Sequence, residues 1–168
     1  VENGEARTQL VLWDIEQRVR TVLVALPVGE FGQFDAPRFS PDGRYVAVSY
    51  WQGGGTRDLW AVEMRTGAVR KLTDDRALDI EPSWSPDGRF LLFSSDRTRF
   101  YDIYAMDVAT LADVFAGQEG ACDPVGVQNA ACRNAPLPVY RVTTMATGAF
   151  SPEVAVGPSA DYLYMLTY

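Results

Sequence analysis

The sequence predicts an all-β fold made of β-propeller blades, and three observations carry that expectation. The phrase "FSPDGRYVAVS" at Phe39–Ser49 returns as "WSPDGRFLLFS" at Trp84–Ser94, 45 residues on. Each copy is followed by a second pair of strand-like runs, so the repeating unit holds four short strands, which is the length and content of a propeller blade. No stretch sustains the 3.6-residue apolar period that a helical solenoid requires, and a β-sandwich has no reason to repeat one phrase at blade-length intervals.

With the four strands of a unit lettered a to d, the chain opens on strands c and d of a first blade, residues 8–26, in "LVLWDIEQRVRTVLVAL" (Leu10 to Leu26). A full blade follows over residues 37–73. Its a-b turn is Ser40-Pro41-Asp42-Gly43: Pro41 presets φ for the second position of a type I turn, Asp42 bonds nearby amides, and Gly43 takes the left-handed conformation. The aromatic and β-branched run Tyr45 to Val48 makes the turn a hairpin tip. Strands c and d then lie in "DLWAVEMRTGAVRKLT" (Asp58 to Thr73).

A second full blade spans residues 82–143, with the turn at Ser85, Pro86, Asp87 and Gly88, strand c in "DIYAMDV" (Asp102 to Val108) and a delayed strand d in "VYRVT" (Val139 to Thr143). An inserted loop, 110–138, separates them and is rich in Ala, Gly, Pro and Asn. Residues 154–168 read as strands a and b of a last blade, with Gly157-Pro158-Ser159-Ala160 in the turn. The whole chain, 1–168, is one partial propeller domain.

The Ser-Pro-Asp-Gly turns preceded by Pro and an aromatic, together with "DIYAMD" and "RKLT", resemble the TolB-like periplasmic propellers and the related propeller domains of prolyl oligopeptidase-type enzymes. The resemblance implies a propeller with cell-envelope partners, or one that gates a catalytic domain encoded elsewhere. The turn shares Ser-x-Asp with the Asp-box of sialidase blades, but the Gly and the aromatic residue that follow in that motif are not in their usual places.

Composition narrows the function. At 47% hydrophobic, 12% aromatic and 22% charged, the 168 residues are those of a folded domain and not of a disordered chain. A net charge of −7, with 15 scattered basic residues, argues against nucleic acid. No apolar run approaches the ~20 residues needed to cross a bilayer, and the start at Val1 fits a mature or trimmed product. The only cysteines, Cys122 and Cys132, both lie in the inserted loop. A disulfide between them would add about 2.5 to 3 kcal/mol of chain constraint and would place the protein in an oxidising compartment, periplasmic or extracellular. With no histidine in the chain, a structural zinc site lacks its ligand set and a Ser-His-Asp or Cys-His nucleophile is impossible. No cofactor, metal or catalytic residue is expected.

The expected partner is a protein or peptide. In propeller architecture the b-c loops and d-a crossovers share one face, and there the sequence places Trp51, Arg57, Asp74, Asp75, Arg76, Asp79, Glu81, Arg97, Arg99 and Phe100. Loop aromatics and arginines are the types enriched at binding hot spots. The bland reading of Asp74, Asp75, Asp79 and Glu81 is a solvated crossover, with Asp75 and Asp79 serving turns or pairing with Arg76. A propeller glycosidase is a further alternative, in which Asp74 and Glu81 would act as carboxylate catalysts. Phe39 and Trp84, Tyr45 and Phe90, and Trp60 and Tyr104 are equivalent pairs and are expected to pack blade against blade. Three blades' worth of strands is below the four to eight of closed propellers. The chain is therefore expected to be part of a longer propeller, or to self-associate head to tail into six blades, or else to depart from propeller geometry.

Overall fold

The computed structural model describes residues 8–27, 29–116, 137–143, 153–156 and 163–166. Among these residues twelve strands form four antiparallel sheets, with one short helix beside them. Strands β1 (Gln9–Asp14) and β2 (Val19–Ala25) form a two-stranded sheet. A four-stranded sheet follows in the order β3 (Gln33–Phe39), β4 (Tyr45–Trp51), β5 (Arg57–Glu63) and β6 (Val69–Lys71). A second has β7 (Asp79–Trp84), β8 (Phe90–Ser95), β9 (Asp102–Asp107) and β10 (Val139–Arg141). The last pair is β11 (Glu153–Val156) with β12 (Leu163–Leu166). This is the strand content of propeller blades, two complete and two partial.

The recurrence of the Ser-Pro-Asp-Gly phrase has a local physical cause. In the first copy the Ser40 hydroxyl donates to Asp42 Oδ1 at 2.6 Å and accepts the Tyr45 amide at 2.9 Å, while the Arg44 amide donates to the same Asp42 oxygen at 3.0 Å. The second copy repeats all three bonds through Ser85, Asp87, Arg89 and Phe90, at 2.5, 3.0 and 2.8 Å. Gly43 and Gly88 sit at φ +70° and +71°, where a side chain is strained. Ser, Asp and Gly are thus each required by the turn itself, and the following aromatic is fixed at the start of strands β4 and β8. Asp42 and Asp87 are held below the usual carboxylate range, first by the serine hydroxyl and then by the arginine amide.

Alternation along the strands sends side chains to both faces of the middle sheet. Val46, Val48, Tyr50, Trp60, Val62 and Val69 face β1–β2 and pack with Leu10, Val24 and Leu26. Tyr45, Ala47, Leu59 and Ala61 face the other way, onto Trp84, Leu91, Phe93, Tyr104 and Met106. Each of these large side chains stabilises the stack by about 1.5–3 kcal/mol through burial. Two hydrogen bonds fix the second interface: Ser49 Oγ donates to the Asp79 carbonyl at 2.9 Å in a buried bond, and the Trp84 indole donates to the Arg38 carbonyl at 3.0 Å in a part-buried one. Trp60 and Tyr104 are buried against the preceding sheet, as their equivalence implies.

One expected equivalence fails. Trp84 is 9% exposed but Phe39 is 56% exposed. Trp84 leans on the inner strand β3 of the sheet before it. The sheet before β3 is β1–β2 alone, and its cluster covers β4, β5 and β6 without reaching the Phe39 end of β3.

The insertion also departs from expectation, because it is not wholly an irregular loop. Leu111–Ala116 forms helix α1, too short to be seen as a period in the sequence. Its Leu111 and Phe115 join the core between the two complete sheets. The Phe115 ring stacks on Tyr45 at 5.2 Å and takes the Arg70 guanidinium on its other contact, also at 5.2 Å. Cys122, Cys132 and the turn at residues 157–160 lie outside the described residues.

Candidate functional site

The b-c loops and d-a crossover meet on one face of the stack, and hydrogen bonds from backbone amides tie them. The Arg57 amide donates to the Ala77 carbonyl at 3.3 Å and the Leu78 amide to Asp96 Oδ1 at 2.8 Å. The side chains then build a set of ion pairs. Arg97, in the loop between β8 and β9, sends Nη2 to both carboxylate oxygens of the fully buried Asp79 at 3.0 Å and to Asp75 at 3.4 Å. Its Nε donates to Ser95 Oγ at 2.9 Å, and its guanidinium lies over Phe93 and Tyr104, 5.3 and 4.7 Å from their centroids. Arg97 is therefore a clamp, fully engaged within the protein. Burial pushes the Asp79 carboxyl above its ordinary value, against the Ser95 hydrogen bond and the Arg97 charge.

A second set lies at the strand c–strand d junction and occurs twice. Asp58 pairs with Lys71 at 2.9 Å, and Lys71 also grips Asp74 at 2.6 Å. One blade later Asp102, fully buried, pairs with Arg141 at 2.5 Å and accepts the Thr98 hydroxyl at 3.0 Å. Lys71 lies across from Trp60 and Arg141 across from Tyr104, so the two cations hold the same register. Asp58 differs from Asp102 in having a buried Oδ1 with no hydrogen-bond partner among the described residues. Desolvation pushes its carboxyl up to about 6, with Lys71 opposing. Burial pulls Lys71 down, but its hydrogen bonds with Asp74 and Asp58 outweigh that and hold it above its ordinary value.

The expected site residues therefore divide. Asp75, Asp79 and Arg97 come together, Asp74 is bound to Lys71, and Arg57 pairs with Asp35. The acids do not pair with Arg76: Asp75 caps the Ala77 amide at 2.8 Å and otherwise serves Arg97, which reaches further into the protein. Trp51 closes β4 opposite Arg57, half-buried. Glu81 sits in the irregular segment of β7 at φ +54°, mirrored by Ala36 at +49° in β3, each directly before a proline. No hydrogen bond or ion pair joins Glu81 to the others among the described residues. Arg76, Arg99 and Phe100 remain exposed. The Gly53-Gly54-Gly55 loop runs at φ +91°, +81° and +87°, which explains its composition. Sequence reasoning missed Asp58, Lys71, Asp102 and Arg141, although their shared positions in the repeat were a usable signal.

Among the described residues no three acidic or sulfur ligands converge on a metal site, and no helix is long and apolar enough to cross a membrane. On the opposite face a cleft of about 600 Å³ runs between the two Ser-Pro-Asp-Gly turns, walled by Tyr45, Trp84 and Leu111.

Comparison with known proteins gives a consistent picture. Residues 1–120 match the family model described as the TolB beta propeller domain. The chain is 36% identical over 81 residues to the Tol-Pal system protein TolB of Francisella tularensis subsp. holarctica, a match spanning 45% of this chain and 18% of that protein. The crystal structure of TolB from Acinetobacter baumannii superposes with a TM-score of 0.64 at 21% identity, covering 95% of this chain and 32% of that one. A prolyl endopeptidase structure superposes with a TM-score of 0.58 at 14% identity, covering 98% and 23%. These two structures are alike in fold.

Proposed function

The chain belongs to the TolB β-propeller family, and from that premise we propose that it is a non-catalytic module of the cell envelope, periplasmic, that binds a protein or peptide through its crossover face. The observation that supports this most is the Arg97 clamp. By holding Asp79 and Asp75 at once it ties the β8–β9 loop to the crossover before any partner arrives. A face fixed in advance loses less conformational freedom on binding. The relative named a Tol-Pal system protein supports an envelope setting.

A photo-crosslinking residue placed at Phe100, and separately at Ala109 on the turn face, tests this in an envelope fraction. The proposal expects a discrete protein adduct from position 100 and none from 109. Adducts from 109 alone would overturn it.

The likeness to the prolyl endopeptidase propeller favours a second reading, in which the chain gates a hydrolase domain. An adjoining α/β-hydrolase segment with a Gly-x-Ser-x-Gly elbow in the parent gene would decide for it.

A further inference from the structure

We infer that the β8–β9 loop is built to recognise an acidic segment carrying an apolar side chain beside its carboxylate; this rests on the crossover-face reading and adds the partner's chemistry. The loop from Asp96 to Asp102 is held at several points. Arg97 is locked by Asp79, Asp75 and two aromatic rings, Thr98 donates to Asp102, the Tyr104 hydroxyl lies 3.4 Å from Thr98 Oγ1, and the Arg99 amide closes a turn on the Asp96 carbonyl at 2.7 Å. What this frame presents to solvent is its tip. Arg99 is exposed at φ +77°, a conformation an arginine holds only when its surroundings over-determine it, and Phe100 is 50% exposed.

The charges around the tip decide the sign of the partner. The carboxylates here already hold partners: Asp75 and Asp79 share Arg97, Asp58 and Asp74 share Lys71, and Asp102 has Arg141. Asp96 spends Oδ1 on the Leu78 amide. By contrast the guanidiniums of Arg99 and of Arg76, in the crossover segment tied to this loop, make no ion pair or hydrogen bond among the described residues. Glu81 in β7 aside, the groups left uncommitted on this face of a chain of net charge −7 are two cations and an aromatic ring. A guanidinium forks onto a carboxylate, and an exposed ring beside it takes an apolar side chain.

A displayed library of random dodecapeptides, panned on the whole chain, tests this. The expected result is enrichment of Asp or Glu adjacent to Phe, Leu or Trp. Binding should fall about tenfold or more in Arg99→Glu and in Phe100→Ala, with melting behaviour unchanged because both side chains are exposed. Binding to Arg99→Glu should return when the peptide's acid is replaced by Lys. Peptides lost in Phe100→Ala but lacking acids and indifferent to Arg99→Glu would overturn this inference and leave the crossover-face reading standing. Peptides bound equally by both variants, or no enrichment at all, would overturn both.

Discussion

At the scale of single residues, Asp58 and Asp102 show how one position in a repeat acquires two chemistries. Both carboxylates are buried beside a cation from the neighbouring strand, yet Asp102 gains the Thr98 hydroxyl while Asp58 keeps an oxygen with no partner. The consequence is a carboxyl at about 6 in the folded protein against 3.8 for the free side chain. The folded state therefore holds a proton that the unfolded chain has released. Stability from this group is fully present below pH 3.8 and is lost as pH rises through about 6, by up to about 3 kcal/mol. Asp79, also raised, slopes the same way. Asp42 and Asp87 are lowered, and their contribution is lost only as pH falls below the ordinary carboxylate range. Denaturant melts from pH 4 to 7 should accordingly show stability declining with pH, and Asp58→Asn should flatten that decline. An unchanged slope in Asp58→Asn would remove the assignment.

At the scale of the element, the hairpin tip explains why so much of the fold was legible. Ser-Pro-Asp-Gly is determined by bonds within six residues, and its strands carry alternating apolar side chains that announce two buried faces. Ser85→Ala deprives the Phe90 amide and Asp87 of a buried partner and should cost about 1–3 kcal/mol. Ser40→Ala should cost a similar amount, read from urea midpoints; a loss in one copy alone would show that the turns are not equivalent. What was not legible is non-local. Arg97 reaches Asp79, 18 residues earlier, because a crossover folds back, and nothing around Arg97 in sequence distinguishes it from Arg99, whose guanidinium makes no ion pair or hydrogen bond among the described residues. Helix α1 was hidden because Leu111 and Phe115, four apart, make only one turn of apolar period. The division of the loop residues into clamp and exposed tip depends on side-chain contacts that no spacing encodes.

At the scale of the whole molecule, sheets stack face to face, so each is stable only with a neighbour. The middle sheet is covered on both faces. The first is not, among the described residues: Val11, Trp13 and Val22 alternate with the buried Leu10 and are 40–56% exposed, and on β3 Phe39 is also left uncovered. Such a surface promotes association. The chain of 168 residues on its own should form dimers or larger species by light scattering, and Trp13→Lys with Phe39→Lys should shift it toward monomer. A well-folded monomer at high concentration would contradict this. Phe39 also shows why equivalence in sequence does not guarantee equivalence in burial, since a residue facing the preceding blade is buried only if that blade's inner strands are there.

The most direct test of a fixed, partner-binding crossover face is backbone amide chemical-shift mapping of the chain titrated with a dodecapeptide of alternating Glu and Leu. The expected perturbations lie at residues 74–78 and 96–102, with the turns at 40–44 and 85–89 unmoved. Shifts confined to those turns and the cleft between them would contradict the account.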